Sequence, residues 1–336
     1  MKRLRGSIPC HSSSLPSVVR RHAGFLSGSL VVIGISMVGS ALIGGATGQS
    51  QTPAAPAPGP APAAQDQEPA VLVGAGDIAN CEITGGSGAA ATARLLDKIP
   101  GTVFTVGDHA YPSGTAKQFQ ECYEANWGRH KARTRPAPGN HDYLSGNGKP
   151  YYDYFGENAG PDRRGYYSYA LGAWHIVVLN SYISADRGSP QLEWLRKDLA
   201  DNKTACTLAY WHLPVFSSGP HGSEPQTTAH MLDVWRLLYD SGADVILNGH
   251  DHIYERFAPQ NPKGQPDPKK GIREFVVGTG GGGLYNFKQV RPNSEVRANR
   301  SYGVLKLTLG ATDYSWEFIS GVGEPFQDSG SSPCVQ

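Results

Sequence analysis

The sequence predicts an α/β domain with two sheets packed face to face and helices on the outside. Three observations carry that expectation. Short apolar runs that read as strands alternate with helix-spaced segments from residue 71 to residue 248, and from residue 274 strands follow one another without helices. The apolar runs end repeatedly in polar residues, at the strand carboxyl ends where open α/β sheets place ligand sites. Gly (42) and Pro (25) are abundant while charged residues are 18% of the 336-residue chain, so loops are numerous.

The net charge of +1 hides an asymmetry. Residues 1–49 carry Lys2, Arg3, Arg5, Arg20 and Arg21 and no acidic residue, which leaves 25 basic against 29 acidic residues in the rest. Nothing in that balance suggests a nucleic-acid-binding surface. The basic stretch ends at Arg20-Arg21-His22, and a Gly-containing apolar run follows from Phe25 to about Gly45. That layout reads as a secretory signal peptide over 1–49, with an uncleaved anchor as the alternative and the Arg pair pointing to the twin-arginine route. Residues 50–69 form a Pro/Ala-rich linker of extended backbone. Such a spacer suits a tether to a membrane or wall, and equally a passive leader. The expected protein is therefore exported, secreted or held at the cell surface. Its catalytic domain is expected over 70–322, with a C-terminal tail over 323–336. The four cysteines beyond the signal, Cys81, Cys122, Cys206 and Cys334, suit two disulfides. Of three pairings, Cys81–Cys122 would brace two early loops and Cys206–Cys334 would pin the tail. No CxxC spacing supports a thiolate metal site.

Val71-Leu72-Val73 is a short strand ending at Gly76-Asp77. Ala89 to Ile99 has helical spacing, with Pro100-Gly101 as its stop. Thr102 to Val106 is the next strand and ends at Gly107-Asp108. Ala116 to Trp127 is helix-like, and the extended Arg135 to Pro138 ends at Gly139-Asn140-His141-Asp142. Tyr166 to Tyr169 and Trp174 to Leu179 form a hairpin. Ser189 caps a helix over 190–200 that begins with Pro190. Thr207 to Tyr210 is a strand ending at Trp211-His212. A helix runs from about Thr228 to Tyr239, and Asp244 to Asn248 is a strand ending at Gly249-His250-Asp251-His252. Strands at 274–277, 304–308 and 314–318 complete the chain. No internal repeat is present.

Five strand ends thus carry oxygen or imidazole donors: Asp77; Asp108 with Tyr111; Asn140 with His141; His212; His250 with His252. Asp at one strand end is ordinarily a turn former, and one His after a strand is ordinarily a core residue. Five such ends in succession are hard to explain as turns. On extended backbone, His250 and His252 would lie roughly 6.5–7 Å apart at Cα and face the same way. Each could then bind a different member of a metal pair roughly 3.5–4 Å apart.

This ordered set, Gly76-Asp77, Gly107-Asp108-His109-Ala110-Tyr111, Gly139-Asn140-His141-Asp142, His212 and Gly249-His250-Asp251-His252, resembles the calcineurin-like metallophosphoesterase superfamily. Tyr111 and the trailing Ile253-Tyr254-Glu255-Arg256 are similar to its purple acid phosphatase branch. Position 79 is Ala where the wider superfamily has a metal-binding His and the purple branch usually has Gly; Tyr111 stands where the purple branch places a ligand instead. The resemblance spans residues 71 to about 320 and implies a four-layer α/β/β/α sandwich with two central mixed sheets. It implies hydrolysis of phosphate monoesters by water activated on two metal ions, with phosphodiesters or nucleotides as alternative substrates. Asp108 would bridge. Asp77, Tyr111 and His252 would complete an Fe(III) site, since a phenolate suits a trivalent ion. Asn140, His212 and His250 would hold a divalent ion such as Fe, Zn or Mn. His141 and His221 are the candidates for protonating the leaving oxygen, and Asn140, His141, His221 and Arg256 for binding phosphate, with a structural ion pair at a strand start as the equal alternative for Arg256. A different class, an exported binding module that keeps the fold without the chemistry, is disfavoured because all seven ligand positions are filled. The oligomeric state is left open.

Two glycine-rich stretches invite other readings. Gly74-Ala75-Gly76-Asp77-Ile78-Ala79 matches a loose dinucleotide fingerprint, but Asn80 to Gly86 reads as loop where that motif requires a helix. Gly278 to Gly283 lacks the Lys of a phosphate loop and suits a tight turn or a close backbone approach to the metal site. Tyr151 to Phe155 is expected in the core or as a pocket wall.

Overall fold

The computed structural model describes residues 68–82, 87–224 and 229–335. The targeting segment over 1–49, the linker up to residue 67 and the expected helix start at Thr228 lie outside the described residues. No helix among the described residues is long and apolar enough to cross a membrane.

In chain order the strands begin with β1 (Ala70–Ala75), β2 (Ala79–Asn80), β3 (Thr102–Val106), β4 (Ala110–Tyr111) and β5 (Thr134–Ala137). The hairpin follows as β6 (Tyr167–Leu171) and β7 (Trp174–Val178), then β8 (Cys206–Tyr210) and β9 (Val245–Asn248). The late strands are β10 (Tyr254–Phe257), β11 (Arg273–Val277), β12 (Ser294–Ala298), β13 (Ser301–Leu309), β14 (Asp313–Gly323) and β15 (Gln327–Pro333). They form a six-stranded sheet in the order β15-β14-β13-β1-β3-β5 and a seven-stranded sheet in the order β12-β10-β11-β9-β8-β7-β6. Both are mixed: β1, β3 and β5 run parallel, as do β7, β8, β9 and β11, while β10, β12, β13, β14 and β15 add antiparallel.

The inner faces of the two sheets share one core. Phe104 meets Tyr210 at 5.9 Å between ring centroids, Phe275 meets Trp316 at 5.8 Å and Trp174 meets Tyr314 at 5.7 Å, each pair joining one sheet to the other. Outside the seven-stranded sheet, the helices Pro190–Asp201 and Leu232–Asp240 bury Leu192, Leu195, Leu199, Val234, Trp235 and Leu238 against Val177, Ala209 and Ile246. The helix Ser87–Leu96 covers β13 and β14 of the other sheet. The result is the expected α/β/β/α order. Strands buried on both faces, such as β8 and β9, read as continuous apolar runs for that reason.

The helix over 190–201 starts as its sequence dictates, with the Ser189 hydroxyl accepting the Leu192 N–H at 3.2 Å and Pro190 at the first position. The stretch after Ala116 departs from the single helix expected. A capped turn at Ala116–Gln118 widens into a π-helical turn at Phe119–Tyr123, and a 3-10 segment follows at Gly128–Arg133. Phe119 and Tyr123 pack on His109 beneath the strand ends, at 6.1 and 5.4 Å, and tertiary packing overrides the local preference there.

The C-terminal tail is pinned by its disulfide as expected and gains a strand that its sequence did not announce. Residues 327–333 form a strand on the edge of the six-stranded sheet, pairing antiparallel with β14 from Ile319↔Gln327 to Asp313↔Pro333. Its polar sequence, Gln-Asp-Ser-Gly-Ser-Ser-Pro, gave no apolar alternation because the strand lies largely exposed and only Asp328 is buried. Main-chain pairing holds it, together with the disulfide Cys206–Cys334. The second disulfide, Cys81–Cys122, joins the loop after β2 to the π-helical turn. Both pairings are the expected ones.

Candidate metal centre

The parallel strands β1, β3, β8 and β9 end in polar residues that meet between the two sheets. Asp77, Asp108 and His250 each follow a glycine and adopt left-handed backbone, with φ of 58°, 53° and 69°. Such φ values are costly for residues with a Cβ and cluster at functional sites. The turns interlock: the Asp77 N–H donates to the Gly107 carbonyl (3.0 Å), the Ile78 N–H to the Asp108 carbonyl (2.9 Å) and the Gly249 N–H to the His212 carbonyl (3.0 Å). Gly249 is required by close approach, since a Cβ there would sit 2.7 Å from Asp77 Oδ2. The two histidines that follow do not reach the site by strand alternation. β9 stops at Asn248, and tight turns (Asp251 N–H to Gly249 O, 2.8 Å; Ile253 N–H to Asp251 O, 2.7 Å) deliver them instead.

The donors fall into two groups that share Asp108. In the first, the Tyr111 hydroxyl lies 2.8 Å from Asp77 Oδ1, 3.0 Å from Asp108 Oδ2 and 2.9 Å from His252 Nε2. In the second, His212 Nε2 lies 3.0 Å from Asn140 Oδ1, 3.3 Å from Asp108 Oδ2 and 3.2 Å from His250 Nδ1. Asp77, Asp108, His212 and His252 are buried.

The tautomers follow from the outer partners. A carbonyl only accepts, so His212 Nδ1–H donates to Val106 O (2.6 Å) and His252 Nδ1–H to Gly283 O. In the neutral rings both Nε2 lone pairs then face carboxylate or amide oxygens. One hydroxyl hydrogen on Tyr111 likewise faces three acceptors. Two positive charges resolve this arrangement: protons on the imidazoles, or cations among the lone pairs. Burial pulls His212 down, but Asp108 and then Asp77 outweigh it and push its pKa up to about 9. His252 is raised against burial by Asp77. Burial, then the neighbouring His212 and His221, lower His250 to about 3, so its ring stays neutral. Burial would raise Asp108, yet His212 foremost holds it well below the usual carboxylate range. Tyr111 is pushed well above 10 by burial and by Asp108 and Asp77, so its phenolate needs a strong cation beside it. Carboxylates, neutral imidazoles, an amide oxygen and a phenol that converge in this way fit a pair of cations sharing Asp108.

Around this cluster stand groups with a side open to solvent. His141 donates Nδ1–H to Pro112 O (2.6 Å) and turns Nε2 towards Asp108 Oδ2 at 3.9 Å, with its side chain 31% exposed. The His221 ring lies 4.3 Å from that of His250, with Nδ1 3.0 Å from Glu224 Oε1. For Arg256, the phosphate-binding expectation gives way to its alternative, a structural ion pair. Its guanidinium pairs with Asp328 of β15 (2.7 Å) and with Glu295, and stacks over Trp316 at 5.0 Å. The edge strand supplies the carboxylate that commits it to the fold.

Three participants were not legible in the sequence. Asp142 is buried and accepts the backbone N–H of Asp108 (3.0 Å), His109 (3.1 Å) and Gly139 (2.9 Å) as well as His109 Nδ1–H (2.9 Å). It appeared only as the residue after His141. Tyr285 stacks on His252 at 4.0 Å and 7°, on a loop with no signal of its own. Asp251 holds the loop of His221 through the His221 N–H and the Ser217 hydroxyl. The glycine run does pass beside the site: the Gly282 N–H donates to Asp77 O (2.7 Å) and Gly283 O accepts from His252. Tyr151 and Phe155 are core residues against His109, at 5.3 and 4.8 Å.

The sequence model of the calcineurin-like phosphoesterases matches residues 70–254, more than half of the chain, so this protein belongs to that family. Within it the chain is similar to plant purple acid phosphatases. It is 31% identical over 198 residues to purple acid phosphatase 15 of Arabidopsis thaliana, covering 48% of this chain and 37% of that one. It is 34% identical over 153 residues to purple acid phosphatase 21 of the same plant, covering 43% and 34%. The chain thus spans little more than a third of the length of these relatives. Among solved structures, the purple acid phosphatase PPD1 of yellow lupin shares the fold with a TM-score of 0.64 at 22% identity, covering 80% of this chain and 54% of that one. GAP50, described as the anchor in the inner membrane complex of Plasmodium, shares it with a TM-score of 0.60 at 14% identity, covering 80% and 90%.

Proposed function

We propose that this protein is an exported two-metal phosphoesterase that hydrolyses phosphate monoesters, as the names of its relatives suggest. The observation that carries the reading is the convergence of seven donors from five strand ends, with lone pairs and carboxylates facing one another. Asp77, Tyr111 and His252 would hold an Fe(III) ion, and Asn140, His212 and His250 a divalent Fe, Zn or Mn ion, with Asp108 between them. Such a pair lowers the pKa of water and offsets the charge of a phosphate. The chain's own residues do the rest. His141 donates Nδ1–H to Pro112 O, so Nε2 is left to carry a proton and pass it to the leaving oxygen. His221, packed on His250, is placed to donate to the phosphate or assist that transfer. Asn140 offers its amide N–H to a phosphate oxygen while its Oδ1 faces His212. Two disulfides and the basic–apolar N-terminus support export, since disulfides persist in oxidising compartments.

The test is hydrolysis of p-nitrophenyl phosphate and bis(p-nitrophenyl) phosphate by the purified chain, alongside metal analysis. Monoester turnover that tracks metal content is the expected result. Faster diester turnover would reassign the substrate. A protein that binds metal but turns over neither ester would place it with binding modules of this fold.

A further inference from the structure

We infer that Asp251, the residue between the two histidines of the metal-binding turn, is the positioning residue that fixes His221 over the site. The inference rests on the proposed reading of His221 as a group that serves the substrate. Asp251 is buried. One oxygen, Oδ1, accepts the backbone N–H of His221 at 3.0 Å, and the other, Oδ2, accepts the Ser217 hydroxyl at 2.5 Å. The Ser217 oxygen in turn accepts the Gly219 N–H at 3.0 Å. The loop from Ser217 to His221 therefore wraps the carboxylate. It approaches so closely that a Cβ at Gly219 would lie 2.3 Å from Asp251 Cγ.

Glu224 orients the ring of His221 through Nδ1 at 3.0 Å, and the remaining partners of this loop hold different residues. Glu255 accepts the Ser218 N–H (2.7 Å) and hydroxyl (2.5 Å), and Arg291 donates to the Ser217 carbonyl (3.1 Å) and to that of Gly222. Among the described residues only Asp251 accepts the backbone N–H of His221 itself. Its own backbone lies in the turn that presents His250 and His252. The ring of His221 sits 4.3 Å from that of His250. One side chain thus ties the position of the substrate-facing imidazole to the turn that carries two candidate metal ligands. A buried carboxylate with both oxygens used on one loop is an outer support, and such supports typically change activity 10- to 100-fold when removed.

The experiment compares wild type, Asp251→Ala, Asp251→Asn and Ser217→Ala in the metal-loaded protein. Asn keeps an oxygen for the His221 N–H and can donate to Ser217. Substrates are p-nitrophenyl phosphate, whose leaving group needs no proton, and an alkyl phosphate, whose leaving group does. Asp251→Ala is expected to lower kcat on the alkyl ester by about tenfold or more, with a smaller loss on the aryl ester and with KM and metal content unchanged. Asn should restore most of it, and Ser217→Ala should give a partial loss of the same pattern, which covers the case of an Ala variant that fails to fold. In a His221→Ala background Asp251→Ala should add nothing. Loss of metal, equal losses on both esters, or losses additive with His221→Ala would overturn the assignment. Hydrogen exchange gives a readout independent of turnover: amides of 217–222 should exchange faster in Asp251→Ala or Ser217→Ala. Unchanged exchange refutes the anchoring. Faster exchange in a protein whose wild type hydrolyses no ester refutes the phosphoesterase reading alone.

Discussion

Asp108 is the residue both halves of the site depend on. Oδ1 accepts the His141 N–H at 2.8 Å, while Oδ2 lies 3.0 Å from the Tyr111 hydroxyl and 3.3 Å from His212 Nε2. Asp108→Asn replaces an anionic oxygen that two cations would share with a neutral amide. His250→Ala removes a ring that is neutral and needs no proton displaced. Each substitution is expected to cut phosphatase turnover by more than about a hundredfold, beyond the usual loss of an outer partner, with the circular dichroism spectrum unchanged. Wild-type-like turnover in either variant would refute the site. Tyr111 gives a spectroscopic test. Buried between two carboxylates, its phenol ionises only beside a strong cation. The oxidised, iron-loaded protein should absorb in the visible and Tyr111→Phe should be colourless. A colourless active wild type removes Fe(III) from the Tyr111 site and leaves hydrolysis standing.

At the scale of elements, the site is a set of strand-end turns that hold one another. Asp142 locks two of them, taking three backbone N–H groups and the His109 imidazole, whose other nitrogen lies 2.7 Å from Thr105 Oγ1. Asp142→Ala strands those buried donors, and each unsatisfied group costs about 1–3 kcal/mol. A loss of at least about 3 kcal/mol is therefore expected, read as a lower denaturation midpoint, with weakened metal retention because the Asp108 and Asn140 turns loosen together. Metal retention equal to wild type would show that the turns hold without it.

At the scale of the whole molecule, the C-terminus closes the domain. Cys334 bonds Cys206 at the start of β8, and the next residue, Val335, donates its N–H to Asp244 Oδ1 at 2.5 Å, while Thr207 donates to Oδ2 at 2.7 Å. Replacing both cysteines by Ser releases a crosslink across 128 residues, and a loss of about 2–4 kcal/mol is expected in denaturant unfolding. An unchanged midpoint would mean that β15 pairing suffices without it. Asp244 makes the same region sensitive to pH. Burial pushes its pKa up to about 7, against the two N–H donors. The folded state therefore holds this proton more tightly than the unfolded chain. Its stabilising contribution is complete below about pH 4 and is lost as pH rises through about 7. The stability of wild type relative to Asp244→Asn should fall across that window, by on the order of 2–4 kcal/mol. A difference that is flat with pH contradicts the assignment.

The order of elements and the candidate donors can be read from the residues alone. Strand cores were legible because buried parallel strands are continuous apolar runs. The donors were legible because six of them sit at short spacing after a glycine at a strand end, as Asp77, Asp108, Asn140 and His250 do, and His212 follows a strand. Packing in three dimensions set what those spacings could not encode. Arg256 went to Asp328 because β15 pairs through its main chain and shows no apolar pattern. The turn after β9 bent because His250 takes left-handed backbone. Asp142 and Asp251 acquired their partners from segments 33 and 30 residues away. Hydrogen bonds at that range leave no periodic trace in a sequence, since their geometry exists only once two sheets have packed and their strand ends face one another.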